Sequence, residues 1–204
     1  MSEIYALSDD ALTPPQTIFS QIDEILRCGV KLVQYRSKLA VRDEALIRSL
    51  IGLCEDYGAK LIINDDAALA KKLGAHGVHI GEGDGETAQV REFLGADKII
   101  GVSCYADLAR AQKAEAQGAS YVAFGSLRRG KTKPDAPLCP DALVQEARKS
   151  LNLPIAVIGG ISLENLDEIL ALKPDYIAMV EAIYKPASIT QNLANLKEKM
   201  DEYI

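Results

Sequence analysis

The stretch LIINDD, residues 61–66, turns from apolar to acidic in one step, with Asn64, Asp65 and Asp66 directly behind Leu61-Ile62-Ile63. A further acid, Asp84, lies in GEGDG, and the segment VQYRSK brings Gln34, Arg36 and Lys38 together. Farther along, SLRRGKTK carries Arg128, Arg129, Lys131, Thr132 and Lys133. Magnesium binds through one or two carboxylates and leaves the rest of its shell to water and a substrate's phosphates. Arg and Lys grip phosphate oxygens directly. If these groups converge, Asp65 and Asp84 suit Mg2+, Arg36, Lys38 and Lys133 suit a polyphosphate, and Asn64 and Ser103 add neutral donors.

Each piece also has a plainer use. Asn64-Asp65-Asp66 stands before an apparent helix from Ala67, and Asn and Asp cap helix N-termini. Asp84 among glycines reads as a turn residue. Arg36 and Lys38 could be a solvated strand edge, and RRGKTK an ordinary charged loop. Gly159-Gly160 could serve tight packing alone. Convergence separates the two readings, because independent turn chemistry would not put all these groups on one side of successive strands.

The elements that must position them recur with a regular cadence. Apolar runs begin at Ile4, Lys31, Lys60, Gly77, Ile99, Tyr121, Ile155 and Tyr176, roughly 17 to 34 residues apart, about the length of one strand–helix unit. Helical periodicity fills the gaps. Phe19, Ile22, Ile25 and Leu26 share a face that stops near Gly29, and Leu46, Ile47, Leu50, Leu53 and Cys54 share another that ends at Gly58. DLARAQKAEAQG and SLENLDEILAL follow, the second with Ser162 as N-cap, and QNLANLKEKM (Gln191–Met200) forms an amphipathic last helix.

Alternating strands and helices imply a parallel sheet, and eight units in 204 residues predict an α/β fold, one (β/α)8 TIM barrel spanning residues 1–204. An open doubly wound sheet is the runner-up, but no GxGxxG follows the first run. In a barrel, chemistry gathers past the strands' C-terminal ends. Those positions hold Gln34, Arg36 and Lys38 (strand two), Asn64 and Asp65 (three), Asp84 (four), Ser103 (five), Thr132 and Lys133 (six), Gly159-Gly160 (seven), and Val180-Glu181 (eight).

A net charge of −6 argues against nucleic acid and anionic membrane surfaces as partners. No apolar run approaches the roughly 18 residues of a membrane span, and MSEIYALSDD has no signal-peptide pattern. Cys28, Cys54, Cys104 and Cys139 lack paired spacing and read as reduced thiols, so a cytoplasmic location is expected. Small-molecule substrates are the expected partners, and a homo-oligomer is compatible with the composition. Of the two histidines, His76 is expected at the surface and His79, inside a strand, as a hydrogen-bonded structural residue.

These residues resemble the thiamine phosphate synthase family over nearly the whole chain. VQYRSK resembles its VQ-aromatic-R-x-K segment, LIIND its strand-three end, and GVHIGEGD its GVHxGQxD stretch; GVSCY, TKPDAP and IGGI follow in order. The resemblance implies a (β/α)8 barrel that joins an aminopyrimidine methyl diphosphate to a thiazole phosphate and releases pyrophosphate. It implies that Gln34, Arg36, Lys38, Asn64, Ser103 and Lys133 hold the pyrimidine and its diphosphate, with Arg36, Lys38, Ser103 and Lys133 as the catalytic set. It implies Asp65 and Asp84 as Mg2+ ligands, with Thr132, the backbone at Gly159-Gly160, and Val180-Glu181 at the thiazole phosphate. The family reaction ionises the pyrimidine diphosphate before the thiazole nitrogen attacks, so no general base is required. The long loop after Phe124 is the expected cover against water.

The chain departs from the family's pattern at two places. Arg128-Arg129-Gly130 replaces the usual residues of the strand-six loop. MVEAI puts Glu181 where a phosphate-binding serine usually stands, with Arg128 or Arg129 as an expected offset to its charge. A thiazole tautomerase-like isomerase and a non-catalytic binder of thiazole or pyrimidine phosphates are the alternative readings; retention of Arg36, Asp65, Asp84 and Lys133 speaks against the isomerase.

Overall fold

Each of the eight apolar runs forms a strand: β1 Glu3–Leu7, β2 Leu32–Tyr35, β3 Lys60–Asn64, β4 Gly77–Ile80, β5 Ile99–Tyr105, β6 Tyr121–Phe124, β7 Ile155–Ile158 and β8 Tyr176–Met179. In this computed structural model, which describes residues 2–130 and 137–203, the strands pair in parallel and in sequence order, and β8 closes onto β1. The helices between them are α1 Ile18–Arg27, α2 Glu44–Asp56, α3 Ala67–Leu73, α4 Thr87–Leu94, α5 Leu108–Ala116, α6 Asp141–Ser150, α7 Leu166–Leu170, α8 Glu181–Tyr184 and α9 Ile189–Glu202. Thr132 and Lys133, named as candidate site residues from the sequence, lie outside the described residues. No helix among the described residues is long and apolar enough to cross a membrane.

Two-residue alternation along the strands divides the apolar side chains into two cores. Outward positions such as Ile4, Ala6, Val33, Ile63 and Val122 pack against the helices. Inward positions, among them Tyr5, Leu7, Leu32, Ile62, Tyr121 and Ala123, fill the bore. Tyr5, Tyr121 and Tyr176 meet there edge to face, with ring centroids 5.9 to 6.4 Å apart, a favoured aromatic geometry. Space for the Tyr121 ring comes from Gly101 on β5, where an added Cβ would stand 2.0 Å from the ring's Cζ.

The helix faces follow the sequence pattern except at Phe19 in α1 and in α2, where Ile51 is buried and Leu46 and Leu53 only partly so. In α1, Ile18, Ile22, Ile25 and Leu26 are buried, but Phe19, expected on that face, is 44% exposed. The stripe instead starts one residue earlier, at Ile18. Gly29 and Gly58 take the left-handed conformation behind α1 and α2 (φ +83° and +61°), as the reading of both as helix stops requires. Ser162 forms a reciprocal capping box with Asn165 at the 3-10 turn Leu163–Asn165 that leads into α7. His76 is not a surface residue. Its side chain is 13% exposed, and Nδ1 accepts a hydrogen bond from the Leu61 N–H at 3.1 Å, tying the α3–β4 turn to β3.

At the opposite end from the site, Asp175 closes the barrel's entry. Its backbone N–H donates to Ile155 O and its carbonyl accepts from Glu3 N–H. Its carboxylate accepts from Ile155 N–H at 2.8 Å and from both Arg148 terminal nitrogens at 2.5 and 3.0 Å. All four cysteines are free. Burial raises the Cys54 and Cys104 thiols to about 12, which keeps them unreactive.

Candidate active site

The C-terminal ends of the strands bring the described sequence-marked residues to one mouth. Gln34, inward on β2, is 2% exposed and its Nε2 donates to Tyr5 OH at 2.8 Å. Behind it the β2–α2 loop is braced by the loop after β1. Arg36 N–H donates to Ser8 Oγ at 2.8 Å, Ser8 Oγ donates back to Arg36 O at 3.1 Å, and Lys38 N–H donates to Asp10 Oδ2 at 2.7 Å. With its backbone held this way, the loop can present its two cationic side chains to a ligand. Ser8 and Asp10 were not among the sequence candidates. The signal was present in SDD (Ser8–Asp10), a polar stop directly behind an apolar strand, just as NDD follows β3.

The acids of NDD divide the two roles that the tripeptide suggested. Asp66 is the N-cap of α3, accepting from Leu69 N–H at 2.8 Å. Asp65 is not a cap. It adopts φ +64°, a left-handed conformation open to Asp, while its N–H stays paired with His79 O at 2.8 Å. Its carboxylate faces Lys38 Nζ at 2.8 Å and stands close enough to Asp84 for each acid to shift the other's proton affinity. Asp84 is in turn fixed by Gly81 N–H, which donates to Oδ2 at 2.7 Å.

This geometry separates the two acids electrostatically. Burial pushes the Asp65 carboxyl up, but Lys38 and the neighbouring Asp84 outweigh it and hold Asp65 below its ordinary value. Burial and the neighbouring Asp65 push Asp84 above its own, despite the Gly81 N–H. Asp84 is therefore the more readily protonated of the two.

Two neighbouring carboxyl groups, with a cation beside them, fit a magnesium ion that takes its remaining ligands from water and phosphate. No cluster of three or more His, Cys, Asp or Glu suited to a metal occurs among the described residues. Two carboxylates suit a hard ion shared with a ligand better than a structural zinc.

On the other side of the mouth, Ser103 of β5 is half-buried, and its Oγ lies 2.9 Å from His79 Nε2. His79 is hydrogen-bonded inside its strand, as expected, with its other nitrogen 2.8 Å from Tyr121 OH. Asn64 ends β3 beside Asp65.

Beyond β7, Gly159 and Gly160 adopt φ +107° and +61°, and the segment 126–129 behind β6 lies directly over them. Leu127 and Arg128 N–H groups donate to Ile158 O and Gly159 O. A Cβ on Gly159 would stand 1.9 Å from Ser126 Oγ, and one on Gly160 2.6 Å from Arg128 O. Both glycines are required by that close approach. Val180 and Glu181 open α8 next to this crossing.

Arg128 does not serve as a partner for Glu181. Its guanidinium forks onto Asp141 at 2.7 and 2.9 Å and reaches Glu168 at 3.0 Å, tying the loop to α6 and α7. The sequence could not show this, because both acids are remote in the chain and reach the loop only through helix packing.

The profile of the thiamine monophosphate synthase family matches residues 4–183. Over 188 residues the chain is 44% identical to the thiamine-phosphate synthase of Nitrosococcus oceani, covering 91% of this chain and 87% of that one. It is 42% identical over 183 residues to the thiamine-phosphate synthase of Thioalkalivibrio sulfidiphilus, covering 89% and 87%. A solved structure of thiamine phosphate pyrophosphorylase from Pyrococcus furiosus superposes with a TM-score of 0.88 at 27% identity, covering 99% of this chain and 96% of that one.

Proposed function

The chain belongs to the thiamine monophosphate synthase family, and from that premise we propose how its barrel mouth performs the reaction. The protein is a transferase of thiamine biosynthesis, a thiamine-phosphate synthase by its relatives. The substrates we assign are an aminopyrimidine methyl diphosphate and a thiazole phosphate, in the carboxylated or hydroxyethyl form, joined with release of pyrophosphate.

Gln34 holds the pyrimidine at the floor of the mouth. Arg36, Lys38, Asn64, Ser103 and Lys133 receive the diphosphate. Thr132, the Gly159-Gly160 backbone, and Val180-Glu181 receive the thiazole phosphate, at the place beyond strands seven and eight where barrels commonly bind one. A metal ion belongs to the family's chemistry, and we assign it as Mg2+, held by Asp65 and Asp84. When bound, Mg2+ neutralises charge that builds on the departing diphosphate.

This chain's residues have three tasks. The cations stabilise the leaving group more in the dissociative transition state than before it, which is where binding energy accelerates a reaction. The mouth excludes water from the pyrimidine cation. The two substrates are held in line so that the thiazole nitrogen, which already carries its lone pair, attacks without a general base. The four free cysteines suit a reducing cytoplasm as the setting.

The observation that carries this reading is that Asp65 and Asp84 follow the adjacent strands β3 and β4 at one mouth, with Lys38 Nζ 2.8 Å from Asp65. The purified protein, given both substrates and Mg2+, is expected to form thiamine phosphate and pyrophosphate in equal amounts. Isomerisation of the thiazole alone, or binding without turnover, would reject it.

A further inference from the structure

Beneath the site an unbroken line of hydrogen bonds crosses the bore. Gln34 Nε2 lies 2.8 Å from Tyr5 OH, Tyr5 OH 2.8 Å from Tyr121 OH, Tyr121 OH 2.8 Å from His79 Nδ1, and His79 Nε2 2.9 Å from Ser103 Oγ. Five strands contribute one side chain each. Among the described residues no buried side-chain nitrogen or oxygen lacks a partner, so the line is complete.

Its direction follows from the end groups. An amide nitrogen only donates, so the Tyr5 oxygen accepts from Gln34. Tyr5 OH meets only Gln34 and Tyr121 among the described residues, and its own proton must therefore go to Tyr121. The reverse order would strand that proton without an acceptor in a fully buried place, which is unfavourable. Tyr121 then donates to His79 Nδ1, which leaves the ring proton on Nε2, directed at Ser103. Ser103 Oγ accepts it and keeps its own proton for the mouth.

Turning the Gln34 amide over would reverse every bond and aim the Ser103 lone pairs at an anion. A diphosphate site requires the opposite.

We infer that this line locks His79 as the Nε2–H tautomer and so presents the Ser103 hydroxyl to the diphosphate as a donor, making Tyr5, Tyr121 and His79 positioning residues. The inference rests on the assignment of Ser103 to the diphosphate. It explains why a barrel floor that could have been wholly aliphatic carries buried tyrosines and a histidine.

The experiment has two arms. In substrate-free protein labelled with 15N-histidine, only two rings report, and His76→Gln assigns them. The His79 proton is expected on Nε2; a proton on Nδ1 overturns the inference, whatever the reaction proves to be. In the second arm, Tyr5→Phe keeps the ring but cuts the line. It is expected to lower kcat/KM for the pyrimidine diphosphate by about tenfold, the worth of one hydrogen bond to a charged group. In a Ser103→Ala background the same substitution should cost nothing further. Losses that multiply in the double variant would show that Tyr5 acts only through general stability, and would overturn the inference. Failure to form thiamine phosphate at all would reject the function while leaving the tautomer result intact.

Discussion

The carboxyl groups of Asp65 and Asp84, from the loops behind neighbouring strands β3 and β4, are near enough to shift one another in opposite directions, Asp65 below its ordinary value and Asp84 above it. In the protein alone Asp84 takes up a proton more readily than Asp65; a bound divalent ion would oppose that, since a metal's charge favours both carboxylates as anions.

Asp84→Asn should therefore keep the fold, because an amide oxygen can still accept from Gly81 N–H, but lose about a hundredfold or more in kcat, as removal of a preorganised electrostatic group does. More Mg2+ should also be needed for half-maximal rate. Steady-state kinetics across a magnesium series checks this, and an unchanged magnesium response would remove Asp84 from the metal site.

Asp66, adjacent to Asp65, should behave in the opposite way. Asp66→Ala deletes the α3 cap and is expected to cost about 1 kcal/mol, a fall of about 2–4 °C in Tm for a chain of this size. kcat should stay at the wild-type value. Thermal denaturation and one kinetic assay on the same preparation separate the two neighbouring acids.

Gly101→Ala tests the floor of the bore. The added methyl would stand 2.0 to 2.5 Å from atoms of the Tyr121 side chain, and a fully buried ring cannot swing aside as an exposed side chain can. Overpacking of this kind costs about 1–3 kcal/mol. The variant should unfold at lower denaturant with an unchanged m-value; wild-type stability would mean the ring is mobile.

Asp175→Asn tests the closed entry. Burial pushes this carboxyl up, but Arg148 and Ile155 N–H outweigh it and hold it below 3.8. The folded state thus binds its proton less readily than the unfolded one. The stabilisation is full above pH 3.8 and fades as pH falls through the folded value. The variant should be less stable by about 1–2 kcal/mol at neutral pH, discounted for partial exposure. The gap should close in acid, as urea unfolding at several pH values would show; a constant gap would contradict the ion pair.

Glu181→Ser should lower KM for the thiazole phosphate by roughly threefold, since it removes a negative charge from beside an anion and adds a donor. Arg128 is committed to Asp141 and Glu168 and does not neutralise Glu181. An unchanged or higher KM would place the phosphate elsewhere.

Much of this protein was legible in the chain because strands and helices are written in local periodicity. All eight apolar runs became strands, and because a parallel barrel puts every strand's C-terminal end on one rim, a list of the next residues was already a list of mouth residues. Gln34, Arg36, Asp65, Asp84 and Ser103 were found that way. Phe19 was misplaced because two apolar neighbours, Ile18 and Phe19, could each start the stripe, and only packing chose between them.

What the chain alone could not settle depends on contacts between residues distant in sequence. Asp65 and Asp66 are chemically the same. Only the left-handed turn at Asp65 and the arrival of Asp84 and Lys38 made one a ligand candidate and the other a cap. Arg128 looked available for Glu181 until α6 and α7 packed their acids against it. The line from Gln34 to Ser103 has no motif at all, because its five members touch only when the sheet closes on itself. Local sequence determines which way a side chain faces along its own strand; which atoms it meets across the bore is decided by closure, and so are a proton's position and a hydroxyl's direction.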